Sequence, residues 1–115
     1  MKTAIVTGAS KGVGLATVKR LSENGYKVIA VSRNLSKVSE LVSDAVEVYQ
    51  LDVTDSKAIE RFYEQYKDIT LDLLVNNAGG GSGPTNIIHE TPENFRRAYD
   101  INVTGPMYLS QLFVP

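Results

Sequence analysis

The segment Thr7-Gly8-Ala9-Ser10-Lys11-Gly12-Val13-Gly14 decides how the rest of the chain is read. It follows a short apolar run at residues 3–6. It precedes a stretch, residues 13–24, whose apolar positions Ala16, Val18 and Leu21 have helical spacing. A glycine-rich turn between a strand and a helix suits phosphate binding. Glycines let the backbone approach the ligand, and the helix N-terminus offers free N–H groups and the positive end of a dipole. The spacing, Gly-x-x-x-Gly-x-Gly, is neither the Gly-x-Gly-x-x-Gly fingerprint nor a P-loop, which ends in Gly-Lys-Ser/Thr. Taken alone, such a turn also fits a plain tight connection.

Working outward, Asn24-Gly25 closes the first helix, because glycine tolerates the left-handed position there. Residues 27–31 are rich in β-branched side chains and read as a second strand. Leu35, Val38, Leu41 and Val42 fit a short helix, and residues 46–51 a third strand. Thr54 or Asp55 then caps a helix with Ile59, Phe62, Tyr63 and Tyr66 on one stripe. Residues 71–75 are almost wholly apolar and read as a fourth strand. A loop with Gly79, Gly80, Gly81 and Gly83 follows, placed like an active-site loop. Thr91-Pro92-Glu93 opens the last helix as cap, N1 proline and first-turn acid, and that helix runs on through Asn102.

Strand and helix alternating four times predict an α/β fold: a doubly wound parallel sheet with helices on both faces and strand order 3-2-1-4. The winding reverses between strands 1 and 4, so a ligand crevice is expected at their carboxyl ends. Both glycine-rich segments reach it.

The composition is that of one globular domain over residues 1–115, with 43% hydrophobic and 22% charged residues. Twelve Lys+Arg against thirteen Asp+Glu leave a net charge of −1, which draws the chain to neither nucleic acid nor an anionic membrane. No cysteine is present, which excludes disulfides, thiolate metal sites and a cysteine nucleophile. The first apolar run is too short for a signal-peptide core or a membrane span. A soluble, cytoplasmic protein is expected, and the triplets Asn34-Leu35-Ser36 and Asn102-Val103-Thr104 are read as chance glycosylation matches.

Asn76-Asn77-Ala78-Gly79, directly after the fourth strand, makes the pattern much more specific. With Thr-Gly-x-x-x-Gly-x-Gly at residues 7–14 and an acid-led turn at Asp52-Val53, the chain resembles the short-chain dehydrogenase/reductase family over its full length. The resemblance implies a Rossmann-type fold and reversible hydride transfer between a nicotinamide cofactor and a carbonyl or alcohol. It implies that Gly8, Ser10, Lys11, Gly12, Val13 and Gly14 wrap the adenosine and pyrophosphate. Asp52 would face the adenine with Val53 beside it, and Asn77, Ala78 and Gly79 would lie along the ribose. Asp52 also fits a simple capping acid. The Asn-Asn-Ala-Gly segment would in addition tie strand 4 to its neighbours.

Cofactor choice can be argued from the residues. An NAD site places an acid at the end of strand 2, to bond the ribose 2′-hydroxyl. Here the strand ends Val31-Ser32-Arg33-Asn34, with no acid until Glu40. Arg33 supplies a planar cation suited to a 2′-phosphate, and Lys11 can flank it, so NADP(H) is expected over NAD(H).

Of the family's catalytic groups, the asparagine matches Asn102, where the resemblance implies a helix irregularity and a water of the proton relay. Pro106 lacks an N–H, so the helical partner of the Asn102 carbonyl is lost, consistent with such an irregularity. The family's serine and Tyr-x-x-x-Lys lie on and after a fifth strand, beyond the last residue, Pro115. The one Tyr-x-x-x-Lys present, Tyr63 to Lys67, precedes strand 4 and reads as core. The chain alone is therefore expected to hold the adenosine half of the site and to be catalytically incompetent. The lone His89 reads as a surface loop residue, not a metal ligand. Apolar residues on strand 4 and the last helix suggest a homo-oligomer or a companion segment. A non-catalytic nucleotide-binding module and an interaction module remain open as alternatives, and the substrate is not readable.

Overall fold

The computed structural model describes residues 1–79 and 87–114. Most of the glycine loop after strand 4 lies outside the described residues. The elements are β1 (Lys2–Thr7), α1 (Gly12–Glu23), β2 (Tyr26–Ser32), β3 (Val46–Gln50), α2 (Ser56–Tyr66), β4 (Leu73–Val75), α3 (Pro92–Tyr99) and α4 (Gly105–Phe113). The four strands form one parallel sheet in the order β3-β2-β1-β4, as the alternation predicts. Ile5 is the centre of the register, paired with Ile29 of β2 on one side and Leu74 of β4 on the other.

Side chains two apart along a strand share a face, and this period sorts the core. Ile5, Ile29 and Val31 pack against Ile59, Phe62 and Tyr66 of α2 and Leu109 of α4. Val6, Val28 and Ala30 pack on the opposite face against Val18 of α1 and Val38. Helices thus cover both faces, and Ala4, Ile5 and Val6 of β1 are sealed from solvent, as expected for a central parallel strand.

The caps follow their residue chemistry. Gly25 takes φ +86° after α1. Asp55 is the cap of α2, accepting from the N–H groups of Lys57 and Ala58. Thr91 caps α3 by accepting from Asn94 N–H at 3.1 Å. Asp72 pins the start of β4: its carboxylate accepts from Thr3 N–H at 2.8 Å, while its own N–H donates to Thr3 O at 2.9 Å.

One element differs from the sequence expectation. The short helix around Leu35 and Val42 is instead two 3₁₀ turns, Leu35–Lys37 and Ser39–Leu41. Asn34 closes the first by accepting from Ser36 N–H, and of the apolar quartet only Val38 is fully buried. One buried side chain does not stabilise a longer helix. As expected around Asn102, the last helix is interrupted by a wide π-type turn, Asp100–Thr104, between α3 and α4. Pro106, in the first turn of α4, has no N–H to give to that preceding turn.

Candidate functional site

The site grows from Thr7 at the end of β1. Its side chain is buried, and its hydroxyl accepts from the N–H groups of Asn77 and Ala78 at 3.0 and 2.9 Å. Asn77 also donates from Nδ2 to Gly8 O at 3.2 Å. The loop after β4 is thereby fastened to the glycine turn after β1. Gly8 sits at φ +65°, and a Cβ there would meet the Ala78 backbone at 2.9 Å. Only glycine satisfies both conditions. Ala9 N–H donates to Val31 O at 3.1 Å, which ties the same turn to the end of β2.

Between these loops opens a cleft of about 440 Å³ at the carboxyl ends of the strands. That size and place suit a small-molecule site at a topological switch point. The structure brings together on its wall Gly8, Ser10, Lys11, Gly12, Val13, Arg33, Asp52, Val53, Asn77, Ala78 and Gly79, with Val31, Ser32, Leu51 and Ile101 between them. Val13 is 74% exposed on the first turn of α1, an apolar surface turned to the cleft. Gly14 and Asn102 do not line it. Gly14 is buried where a Cβ would collide with the carbonyl of Gly8, so it allows α1 to pack against the turn. Asn102 lies on the wide turn, donates from Nδ2 to Ala98 O at 2.8 Å, and holds its Oδ1 3.0 Å from the position of a Cβ on Gly79.

Arg33 and Lys11 are exposed, and neither forms an ion pair among the described residues. The Arg33 carbonyl accepts from Gln50 Nε2 at 3.1 Å, which fixes the backbone at the end of β2. Asn34, next in the chain, is occupied locally by Ser36, and the carboxylate on the cleft wall, Asp52, forms its ion pair with Arg97 and not with Arg33.

Asp52 is not a helix cap, a role taken by Asp55. Its Oδ1 accepts from the N–H and the hydroxyl of Thr54 at 2.9 and 2.7 Å. Arg97, on α3, donates to Asp52 Oδ2 and to Thr54 Oγ1, each at 3.4 Å. Burial alone would raise the Asp52 carboxyl, but the Thr54 hydrogen bonds and the Arg97 guanidinium outweigh it and hold it below the ordinary carboxylate range.

Arg97 and Ile101 were not visible as site residues in the sequence. They stand four apart, which places them on one helical face, but nothing in the sequence says that this face meets the cleft. Gly105 was likewise missed: a Cβ there would lie 2.6 Å from Val53 O, so it lets α4 start against the cleft wall.

The other candidates lie elsewhere. Tyr63 packs edge-on against Phe113 with centroids 5.1 Å apart, and Lys67 pairs with Glu64 at 3.0 Å. Neither lines the cleft. His89 is exposed on a 3₁₀ turn, Ile87–His89, and no group of three metal-ligating side chains occurs among the described residues. No helix among them is long and apolar enough to cross a membrane.

A doubly wound parallel sheet with a glycine-walled cleft at its switch point defines the class: an α/β protein built on a Rossmann-type fold. The sequence model for short chain dehydrogenases matches residues 2–115, and the chain belongs to that family. An uncharacterized oxidoreductase of Bacillus subtilis (strain 168), YusZ, is 38% identical over 124 residues, covering 99% of this chain and 43% of that protein. The crystal structure of 3-ketoacyl-(acyl-carrier-protein) reductase from Brucella melitensis, complexed with NADH, matches with a TM-score of 0.90 at 30% identity, covering 99% of this chain and 49% of that one. The closed form of a serine dehydrogenase complexed with NADP+ matches with a TM-score of 0.85 at 31% identity, covering 98% and 48%. The chain spans less than half the length of these relatives.

Proposed function

We propose that residues 1–115 supply the dinucleotide-binding part of an NADP(H)-dependent oxidoreductase that moves hydride between the cofactor and a small carbonyl or alcohol. The family assignment supports a nicotinamide dinucleotide, and the two related structures carry NADH and NADP+ respectively. The observation that supports NADP(H) is Arg33. It stands exposed on the cleft at the end of β2, without an ion-pair partner among the described residues, and Lys11 lines the same cleft from the glycine turn. A 2′-phosphate beside them would gain charge-assisted hydrogen bonds, whereas the end of β2, Ser32-Arg33-Asn34, offers a bare ribose no carboxylate.

In this reading the turn from Gly8 to Val13 holds the pyrophosphate at the N-terminus of α1, with Gly14 as its packing support. Asp52 and Val53 take the adenine, and Asn77, Ala78 and Gly79 follow the ribose. Asn102 belongs to the proton relay near the nicotinamide. When bound, the nicotinamide would give or take the hydride. The tyrosine–lysine acid/base pair that such chemistry needs is not at the cleft in these residues, so binding without turnover is the activity expected of them alone.

The test is titration of the chain with NADPH and NADH, followed by cofactor fluorescence, for the natural sequence and for Arg33→Asp. NADPH should bind more tightly than NADH, and the substitution should weaken NADPH by about tenfold or more while favouring NADH. An unchanged ratio removes the NADP(H) assignment. Absence of binding to either dinucleotide removes the function.

A further inference from the structure

Asp52, at the edge of the open cleft, is held on both carboxylate oxygens. The torsion that turns a carboxylate about its own axis is broad, so one anchored oxygen does not fix its plane. Here Oδ1 takes both Thr54 donors, and Oδ2 is held by a guanidinium from a helix 45 residues away in sequence. Arg97 reaches Thr54 Oγ1 with its other terminal nitrogen, so Asp52, Thr54 and Arg97 form a closed ring of three contacts. A carboxylate offers about four acceptor positions, and three are used. Asp52 lines the cleft and Arg97 does not.

We infer that Arg97 is a positioning residue for base selection: bracing Asp52 and Thr54 from α3, it aims the last acceptor position of Asp52 into the cleft, where it favours a purine bearing an exocyclic amine. This rests on the dinucleotide-binding function proposed above. Adenine presents an N6 amine that donates to this acceptor. Hypoxanthine presents a carbonyl oxygen at the same place, which sets acceptor against acceptor. The two bases are otherwise nearly the same in size and shape, so the preference between them reports the aim of one carboxylate.

The experiment compares binding of the adenine dinucleotide NADPH with its hypoxanthine counterpart, in the natural chain, in Arg97→Met and in Arg97→Lys. The natural chain should prefer adenine by about tenfold, as expected for a hydrogen bond to a charged acceptor. Arg97→Met should reduce the preference below about threefold, mainly by weakening NADPH. Arg97→Lys keeps a cation within reach of Asp52 and should restore most of it. A merely structural loss would weaken both dinucleotides alike and leave their ratio unchanged, and that result overturns the inference. An undiminished preference in Arg97→Met overturns it as well, while leaving the dinucleotide-binding function intact. Failure of the natural chain to bind either compound overturns both.

Discussion

Thr7 Oγ1 lies 2.9 Å from the backbone nitrogen of Ala78, 71 residues later in the chain, and accepts its hydrogen bond. With the neighbouring bond from Asn77 N–H at 3.0 Å, one hydroxyl ties the loop after β4 to the end of β1. Thr7→Val keeps the shape of the side chain and leaves Ala78 N–H without its acceptor, while Asn77 N–H keeps Val75 O at 3.1 Å. It should cost about 1–3 kcal/mol, read from urea unfolding, whereas Thr7→Ser should stay within about 1 kcal/mol of the natural chain. A valine variant as stable as the natural chain would remove this role.

Gly14 and Gly12 should respond differently to alanine. At Gly14 the new methyl meets the backbone oxygen of Gly8, which has no flexible end to move aside. At Gly12 a Cβ meets nothing within 4 Å, and the strain comes only from φ +57°. Gly12→Ala is expected to cost about 1–2 kcal/mol, and Gly14→Ala clearly more, up to loss of folding. Thermal melts of the two variants side by side check the order.

The face covered by α2 and α4 depends on Phe62. Its ring is fully buried and lies 4.7 Å from Tyr49, 5.1 Å from Tyr66 and 5.6 Å from Phe113, centroid to centroid. Phe62→Ala should cost about 3–5 kcal/mol, enough to unfold a domain of ordinary stability. Phe62→Leu conserves more of the volume and should cost about half as much, with the fold retained by circular dichroism.

Asp52 predicts a pH dependence. Burial opposes its ionisation, but Thr54 and Arg97 prevail, and the folded-state carboxyl titrates below the ordinary value. A group depressed on folding contributes stability that is fully present above its unfolded pKa and lost as the pH falls through the folded one. Asp52→Asn removes that contribution. The fall in urea midpoint on acidification should be shallower in Asp52→Asn than in the natural chain, and parallel acid limbs would contradict the assignment.

The strand order, the helices on both faces and the place of the cleft were legible because they follow from local patterns. Apolar runs of strand length alternate with helical spacing at residues 3–75, and the winding rules for parallel sheets leave few arrangements. The glycine turn and the Asn-Asn-Ala-Gly segment each follow a strand, so both were bound to reach the same edge. The short helix after β2 was misread because a 3–4 spacing of apolar residues states a preference but not the burial that would sustain it. Only Val38 found a place in the core.

What the sequence by itself determined is the set of elements, their order in the sheet and the segments that border the cleft. Each of these depends on residues close together in the chain. What only the tertiary structure decided is how those segments grip one another. Gly14 is seen as packing support because the Gly8 carbonyl stands over it, and Gly105 as a clearance for Val53 O. Arg97 becomes part of the site through Asp52 and Thr54, 45 and 43 positions away. Such contacts depend on the angle and height at which a helix settles on the sheet. Side-chain packing across the whole core sets that geometry, and no local pattern encodes it.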